Sequence, residues 1–356
     1  MRWLLRITMG IVLIAVLLLA VVRIRYGGGG TDFPDLNAIA RMPASSLESV
    51  ADLEYPPGNV AVSVSGRIFF TFHPEAAPPF SVAELVDGKP VPYPTTEFQK
   101  NFQSVLSLRI DRQNRLWTLD NANHGTGQPR LLAFDLRTNE EVFRHDFASE
   151  VAGLGSHLND FQVDPDGHKI YIADASILAK SPAIIVFDIA LRSSRRVLEG
   201  AESVRAEPYI PVVDGRKMVL FGVFAIRPGV DSIALDKRGR WLYFGAVTSQ
   251  HMYRIPRRDL DDVTLSQKRL RAKVERFAPK TMSDGITTDL LENVYVSDPE
   301  HSAILKLGPD RKIHTLLQDP RLRWPDGFSF GPDGWLYVTC SALHHVIGKS
   351  AAHVRS

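Results

Sequence analysis

One short pattern recurs six times along the chain, and it constrains the fold more than any other feature. A polar or small residue opens an apolar strand, a tight turn follows, and an aromatic-rich strand returns. The copies run from Gly58-Asn59-Val60 to Gly66-Arg67-Ile68-Phe69-Phe70, from Leu106 to Asn114-Arg115-Leu116-Trp117, and from Asn159-Asp160-Phe161 to Gly167-His168-Lys169-Ile170-Tyr171. They continue from Asp231-Ser232-Ile233 to Gly239-Arg240-Trp241-Leu242-Tyr243, from Asp284-Gly285-Ile286 to Glu292-Asn293-Val294-Tyr295, and from Asp326-Gly327-Phe328 to Gly334-Trp335-Leu336-Tyr337. Successive turns lie about 40 to 70 residues apart, which suits four-stranded units joined by variable loops. Such units stack as blades around an axis. The expected fold is all-β, a six-bladed β-propeller preceded by one N-terminal transmembrane or signal-anchor helix.

Each aromatic strand is followed by a further apolar run, such as Leu131-Leu132-Ala133-Phe134, Ile184-Ile185-Val186-Phe187 or Ala303-Ile304-Leu305-Lys306, which supplies a third strand. Asp164-Pro165-Asp166-Gly167 and Gly331-Pro332-Asp333-Gly334 carry tight-hairpin chemistry, so their aspartates read as turn formers. Little chain remains after Cys340 to complete the last blade. Leu47 to Glu54 is therefore expected to add a strand there, closing the ring and removing an exposed sheet edge. Cys340 is the single cysteine, so packing must stabilise the fold without an internal disulfide, and the thiol itself reads as inert.

The formal net charge is +2. Arg2, Arg6, Arg23 and Arg25 flank an apolar run at the N-terminus, and without them the remainder is slightly acidic. That balance leaves no footprint for nucleic acid. Ile7 to Val22 is uninterrupted, and counted from Trp3 the segment is just long enough for a bilayer core of roughly 30 Å. A cleaved signal peptide is the alternative; Leu18-Leu19-Ala20 is a weak cleavage site, which favours an anchor. The expected division is 1–25 as anchor or signal peptide, 26–45 as a flexible linker led by Gly27-Gly28-Gly29-Gly30, and 46–356 as the propeller. Either reading of the first segment places the propeller outside the cytoplasm, periplasmic or secreted, with the membrane as partner in the anchored case.

Eight residues before each turn stand Gly58, Leu106, Asn159, Asp231, Asp284 and Asp326. One register implies one height near the axis, so an amide and three carboxylates from successive blades should meet at one channel mouth. Crowded acids repel unless a cation, protons or hydrogen-bond donors intervene. Asn159, Asp231, Asp284 and Asp326 are thus candidate ligands for Ca²⁺, because oxygen-only donors suit it better than zinc. The plainer readings are strand capping through backbone N–H groups and a metal-free ligand pocket. Asp160 adjoins Asn159 and joins the candidate ligand-binding set. Loops after the aromatic strands add Asp120, Asn121, Asn123 and His124, then Asp174, then Ser249, Gln250 and His251, then Ser297, Asp298 and His301, and finally His344 and His345. Asn123 and Asp298 are candidate ligand contacts. His124, His251 and His301 are candidate acid/base groups, against the plainer reading of solvated loop histidines. No Gly-rich phosphate loop, zinc-spaced His/Cys cluster or nucleophile elbow is present.

These residues resemble the yellow/major royal jelly protein family. Pro56-Pro57-Gly58-Asn59-Val60-Ala61-Val62 is similar to its opening. Arg115-Leu116-Trp117-Thr118-Leu119-Asp120 with Gln128-Pro129-Arg130-Leu131-Leu132-Ala133-Phe134-Asp135-Leu136 is similar to its second blade. Ile170-Tyr171-Ile172-Ala173-Asp174 before Ile184-Ile185-Val186-Phe187-Asp188 resembles the third, and Trp241-Leu242-Tyr243-Phe244 before Met252-Tyr253-Arg254-Ile255-Pro256 the fourth. The resemblance implies a secreted six-bladed propeller. It also implies either dopachrome-type conversion or binding of biogenic amines at the channel mouth. The cysteine pairs of insect members are missing, which points to a bacterial-type relative. A looser resemblance is to calcium-dependent gluconolactonase-like propellers, on Asn159 and Asp284-Gly285; Asp160 stands where that pattern has Gly, and no glutamate opens the first repeat.

Three functions follow as expectations. The first is a tautomerase or isomerase in which Asp284 or Asp231 moves a proton with help from His124, His251 or His301. The second is a non-catalytic amine-binding protein, and the third a calcium-dependent lactonase-type hydrolase. All three share a small-molecule ligand at the channel mouth.

Overall fold

The computed structural model describes residues 2–349; residues 350–356, included above in the ring, lie outside the described residues. The first sheet is an antiparallel meander of Pro57–Val62, Ile68–Phe72, Val82–Val86 and Lys89–Pro92. Four more four-stranded meanders follow, with innermost strands Val105–Ile110, Leu158–Val163, Val230–Leu235 and Ile286–Thr288. Each innermost strand packs beside the next around a common axis.

The sixth repeat departs from the expectation. Pro325–Phe330 and Leu336–Cys340 pair only with each other, so the propeller has five complete blades among the described residues, not six. The two-stranded hairpin lies between the fifth sheet and the first, where Val62 N–H donates to Ser329 Oγ (3.0 Å) and Thr339 Oγ1 donates to the carbonyl of Gly58. Leu47 to Glu54 does not form the expected outer strand. Upstream of it, the N–H groups of Arg41 and Met42 bond the carbonyls of Thr315 and Leu316 on the rim of the fifth sheet. Leu47 and Leu53 then bury as coil against the apolar clusters on either side of the hairpin. Covering the hairpin with side chains takes the place of backbone pairing. Beyond Cys340 the chain turns at Ala342 (φ 46°) into the short helix Leu343–Val346, so no third strand follows among the described residues.

The core lies between neighbouring sheets. Trp117, Phe161, Ile170 and Phe187 pack the second blade on the third, and Tyr171, Ile233, Phe244 and Ile255 pack the third on the fourth. Fully burying each such side chain contributes roughly 1.5–3 kcal/mol. Hydroxyls staple adjacent innermost strands: Thr71 to the carbonyl of Leu106 (2.8 Å), Ser107 to that of Asn159 (2.5 Å), and Thr288 to that of Leu235 (2.7 Å). The Asp-Gly pairs belong to the same seam. A Cβ on Gly285 would sit 1.6 Å from the carbonyl oxygen of Asp326, and one on Gly327 would sit 2.7 Å from Asn59 Cα. Only glycine permits that approach.

The helix Arg2–Tyr26 is long and apolar enough to cross a bilayer by length and composition, and its apolar window is not buried against the propeller. Only its last turn docks. Tyr26 stacks on Phe224 (4.9 Å between centroids) and donates to the carbonyl of Leu178 (2.9 Å), while Arg25 donates to that of Ala179 (2.9 Å). The N–H groups of Gly29 and Gly30 then bond the carbonyl of Pro208.

Candidate functional site

All six residues in register, Gly58, Leu106, Asn159, Asp231, Asp284 and Asp326, line one cavity of about 430 Å³ at the channel mouth. The backbone explains why they meet. The ladder between the first and second strands breaks between Pro57 and Val60, Val105 and Ser107, Val230 and Ser232, and Pro325 and Phe328. The third blade breaks at the matching place, opposite Ile172 and Asp174. A bulge leaves a residue unpaired and re-aims its side chain, so the same break in five of the repeats turns the same position toward the axis; in the fifth blade Asp284 precedes an unbroken ladder, its N–H held by Ser297 Oγ.

Three of these carboxyls are poorly compensated. Asp231 is buried, and its Oδ1 has no hydrogen-bond partner. Burial first, then Asp284 and Asp326, push it well above the usual carboxylate range. Asp284 and Asp326 line the cavity and are half-buried. Burial drives Asp284 up to about 6 against the opposing pull of Trp324, whose indole N–H donates to its Oδ2, and of Lys280. Asp326 is also held well above its ordinary value by burial and by Asp284, with Ser341 opposing. Carboxyls whose environments spread their pKa values apart form an acid and a base side by side.

Asp160 is managed differently. Both its oxygens lie 2.6 Å from one Arg109 nitrogen, and the other terminal nitrogen of Arg109 donates to Asn59. Arg109, Trp324 and Lys280 escaped the sequence reading because nothing local marks them. Lys280 is 1 % exposed, donates to the carbonyls of Val247 and Thr281, and is pushed down to about 7 by burial.

His124 also lines the cavity, within a wall that includes His73, Glu75 and His157. The Nδ1 atoms of His124 and His157 are 2.8 Å apart, a contact that needs one protonated and one bare nitrogen. Burial holds His157 well below the ordinary imidazole value and His73 down at about 4. His124, with Nε2 3.9 Å from Glu75 Oε1, lowers the Glu75 carboxyl.

A flap inserted between the third and fourth blades covers the mouth. It consists of two small hairpins, Val212–Val213 with Arg216–Lys217 and Val219–Leu220 with Phe224–Ala225. Leu220, Phe221, Val223 and Phe224 line the cavity together with Val22 from the N-terminal helix. Phe221 is 94 % exposed at φ 50°, a left-handed conformation that Gly222 beside it shares.

The structure does not bring the remaining candidates to the cavity lining. His251 opens the third strand of the fourth blade, paired with Pro279 and outside the innermost strand. His301 is held by Asp298 (2.9 Å), and Asp298 also accepts from Asn37 (2.6 Å), so the N-terminal segment occupies that corner. Asn123 is an exposed turn residue at φ 51°. Asp120 accepts N–H bonds from Gln103, Ser104 and Ala122, and Asp174 pairs with Arg196; both tie loops. Asp164 and Asp333 accept backbone N–H bonds within their own turns. Burial pushes the Cys340 thiol up to about 11, which keeps it protonated.

Asn159, Asp231, Asp284 and Asp326 offer oxygen donors only, and Asp231 has an oxygen to spare, so in type they suit a hard cation. The acid cluster does not supply three carboxylate oxygens within 4.8 Å of one another; among the described residues that criterion is met elsewhere, by Asp214, His344 and His345.

Comparison with known proteins agrees with this architecture. The sequence profile of the family described as major royal jelly protein matches residues 103–338. Major royal jelly protein 3 of Apis mellifera is 26% identical over 178 residues, covering 46% of this chain and 31% of that protein. The chain spans less than half the length of the curated relatives it matches. Among solved structures, a gluconolactonase from Xanthomonas campestris superposes with a TM-score of 0.55 at 12% identity, covering 88% of this chain and 96% of that one. The calcium-binding protein regucalcin from Agrobacterium tumefaciens gives 0.52 at 15% identity, covering 80% and 83%. At such identities the likeness is one of fold.

Proposed function

The chain belongs to the major royal jelly protein family, and from that premise we propose that it is an extracytoplasmic, membrane-anchored propeller that isomerises a small cyclic or aromatic carbonyl compound by proton transfer. The observation that carries this reading is the meeting of Asp231, with its unpartnered buried Oδ1, and Asp284, with Oδ2 held by Trp324, in one apolar-lidded cavity. Asp284 is the base: at neutral pH it is ionised and takes a proton from a carbon beside the carbonyl. Asp231 is the acid: it is protonated and gives its proton to the carbonyl oxygen as that C–H bond breaks. Passing a proton from Asp284 back to Asp231 restores the pair, and no oxidant or reductant is needed. His124 stands at the rim, where it can relay protons to solvent. Leu220, Phe221 and Phe224 would cover the apolar part of the ligand, and Val22 beside them sets the entrance at the membrane end of the anchor.

Deuterium incorporation tests the reading. The full chain is incubated in D₂O with dopachrome and a panel of cyclic enolisable carbonyls, with exchange followed by NMR. Exchange on at least one compound is expected, falling about a hundredfold or more in both Asp231→Asn and Asp284→Asn. Absence of exchange across the panel, with calorimetric binding of a biogenic amine, would replace isomerisation with sequestration. A second reading, calcium-dependent lactone hydrolysis, is favoured by the oxygen-only donors Asn159, Asp231, Asp284 and Asp326. A bound Ca²⁺ would neutralise the acids and polarise a carbonyl. Silence in a calorimetric Ca²⁺ titration to millimolar concentration would remove it.

A further inference from the structure

Away from the acid cluster, three side chains meet that are hidden from one another in the sequence. The first flap hairpin turns at Asp214-Gly215, both at positive φ (48° and 70°). Across from it the short helix Leu343–Val346 presents the adjacent His344 and His345, with ring centroids 4.1 Å apart. One ligand atom from each of Asp214, His344 and His345 lies within 4.8 Å of the other two. Asp214 and His345 are exposed, which leaves an entry path, whereas His344 is 5 % exposed. The Nδ1 of His344 is sealed from solvent with no hydrogen-bond partner. An orphaned buried ring nitrogen is destabilising unless a partner is supplied.

We propose that Asp214, His344 and His345 bind a divalent transition metal, Zn²⁺ by ligand type, as a clasp that fastens the flap to the C-terminal helix. Two imidazoles and one carboxylate are a zinc donor set that leaves a fourth position to water, whereas calcium and magnesium prefer oxygen throughout. The setting favours a clasp. Arg216 on the same hairpin already donates to the carbonyls of His344 and Ile347 (the latter at 2.6 Å), so the metal would hold the turn where the arginine holds the return strand. Arg216 and Arg323 bring positive charge near His344, which Asp214 offsets; this limits affinity without abolishing it. The clasp also reaches the cavity. His344 stacks on Trp324 (6.2 Å, 13° between planes), whose N–H holds Asp284, and the neighbouring Leu343 and Ile347 line the mouth. Metal occupancy would therefore set both how firmly the flap closes and how Trp324 is oriented.

The test uses the full chain in detergent micelles, freed of metal by chelation, with ZnCl₂ and CoCl₂ as probes. Calorimetry is expected to show one equivalent of Zn²⁺ bound at micromolar concentration or tighter, and Co²⁺ to develop a visible ligand-field band. Asp214→Ala and His345→Ala, both at exposed positions, should each weaken Zn²⁺ by about tenfold to a hundredfold, while His251→Ala and His301→Ala leave it unchanged. Saturating Zn²⁺ should also slow tryptic cleavage after Lys217 in wild type but not in the double variant Asp214→Ala/His345→Ala. Absence of Zn²⁺ binding up to millimolar concentration, binding that survives the double variant, or cleavage unaffected by saturation would each overturn the proposal.

Discussion

Replacing Asp284 by Asn should make the protein more stable at alkaline pH, although it removes a cavity carboxylate. Burial raises the Asp284 carboxyl from 3.8 to about 6, so the folded state favours its protonated form. A raised carboxyl contributes stability that is fully present below the unfolded value and is lost as pH rises through the folded one. Two pKa units correspond to about 3 kcal/mol of destabilisation once Asp284 is ionised, of which about half develops between pH 5 and pH 8. Asn keeps an oxygen to accept the Trp324 N–H bond and carries no charge, so it removes the cost without emptying the site. Burial sets the sign: Asp160, although paired with Arg109, adds to the rise, while the Trp324 N–H and Lys280 pull the other way. Urea unfolding of wild type and Asp284→Asn at pH 5 and pH 8 measures the effect. The variant should gain about 1–2 kcal/mol at pH 5 and about 3 kcal/mol at pH 8. A variant less stable than wild type at pH 8, or a difference that does not grow with pH, would refute the reasoning, because the ionised carboxylate would then have a compensating partner.

Trp324→Phe removes the N–H that steadies ionised Asp284, so the pH at which the stability difference between wild type and Asp284→Asn levels off should move upward when both carry the change; a downward move would count against the assigned hydrogen bond. Arg109→Ala leaves Asp160 buried without its partner and should cost about 3–5 kcal/mol in denaturant titration, most of it recovered in Arg109→Met/Asp160→Asn. No recovery in the double variant would mean that Arg109 acts through packing instead.

The alternation of apolar strands, the tight-turn residues and the register of Gly58, Leu106, Asn159, Asp231, Asp284 and Asp326 were legible from residue order alone. Strand direction and hairpin geometry depend on neighbours within a dozen residues, and a repeated bulge in a repeated sequence points the same way each time. The Asp-Gly pairs carried a second message, close approach of adjacent innermost strands, whose steric reason became visible only at Gly285 and Gly327. What tertiary structure alone decided are the contacts between distant segments. Whether the sixth repeat gains outer strands depends on how the N-terminal segment runs, and Arg41 and Met42 bond the fifth sheet while Leu47 and Leu53 cover the hairpin as coil. The pairing of Arg109 with Asp160, of His124 with His157, and of Asp214 with His344 and His345 depends on ring closure and on where an insertion folds back. His251 and His301 matched His124 in sequence context, yet only His124 lines the cavity. Their position relative to the axis depends on blade packing and, at His301, on the cover supplied by Asn37, neither of which is encoded near the histidines themselves.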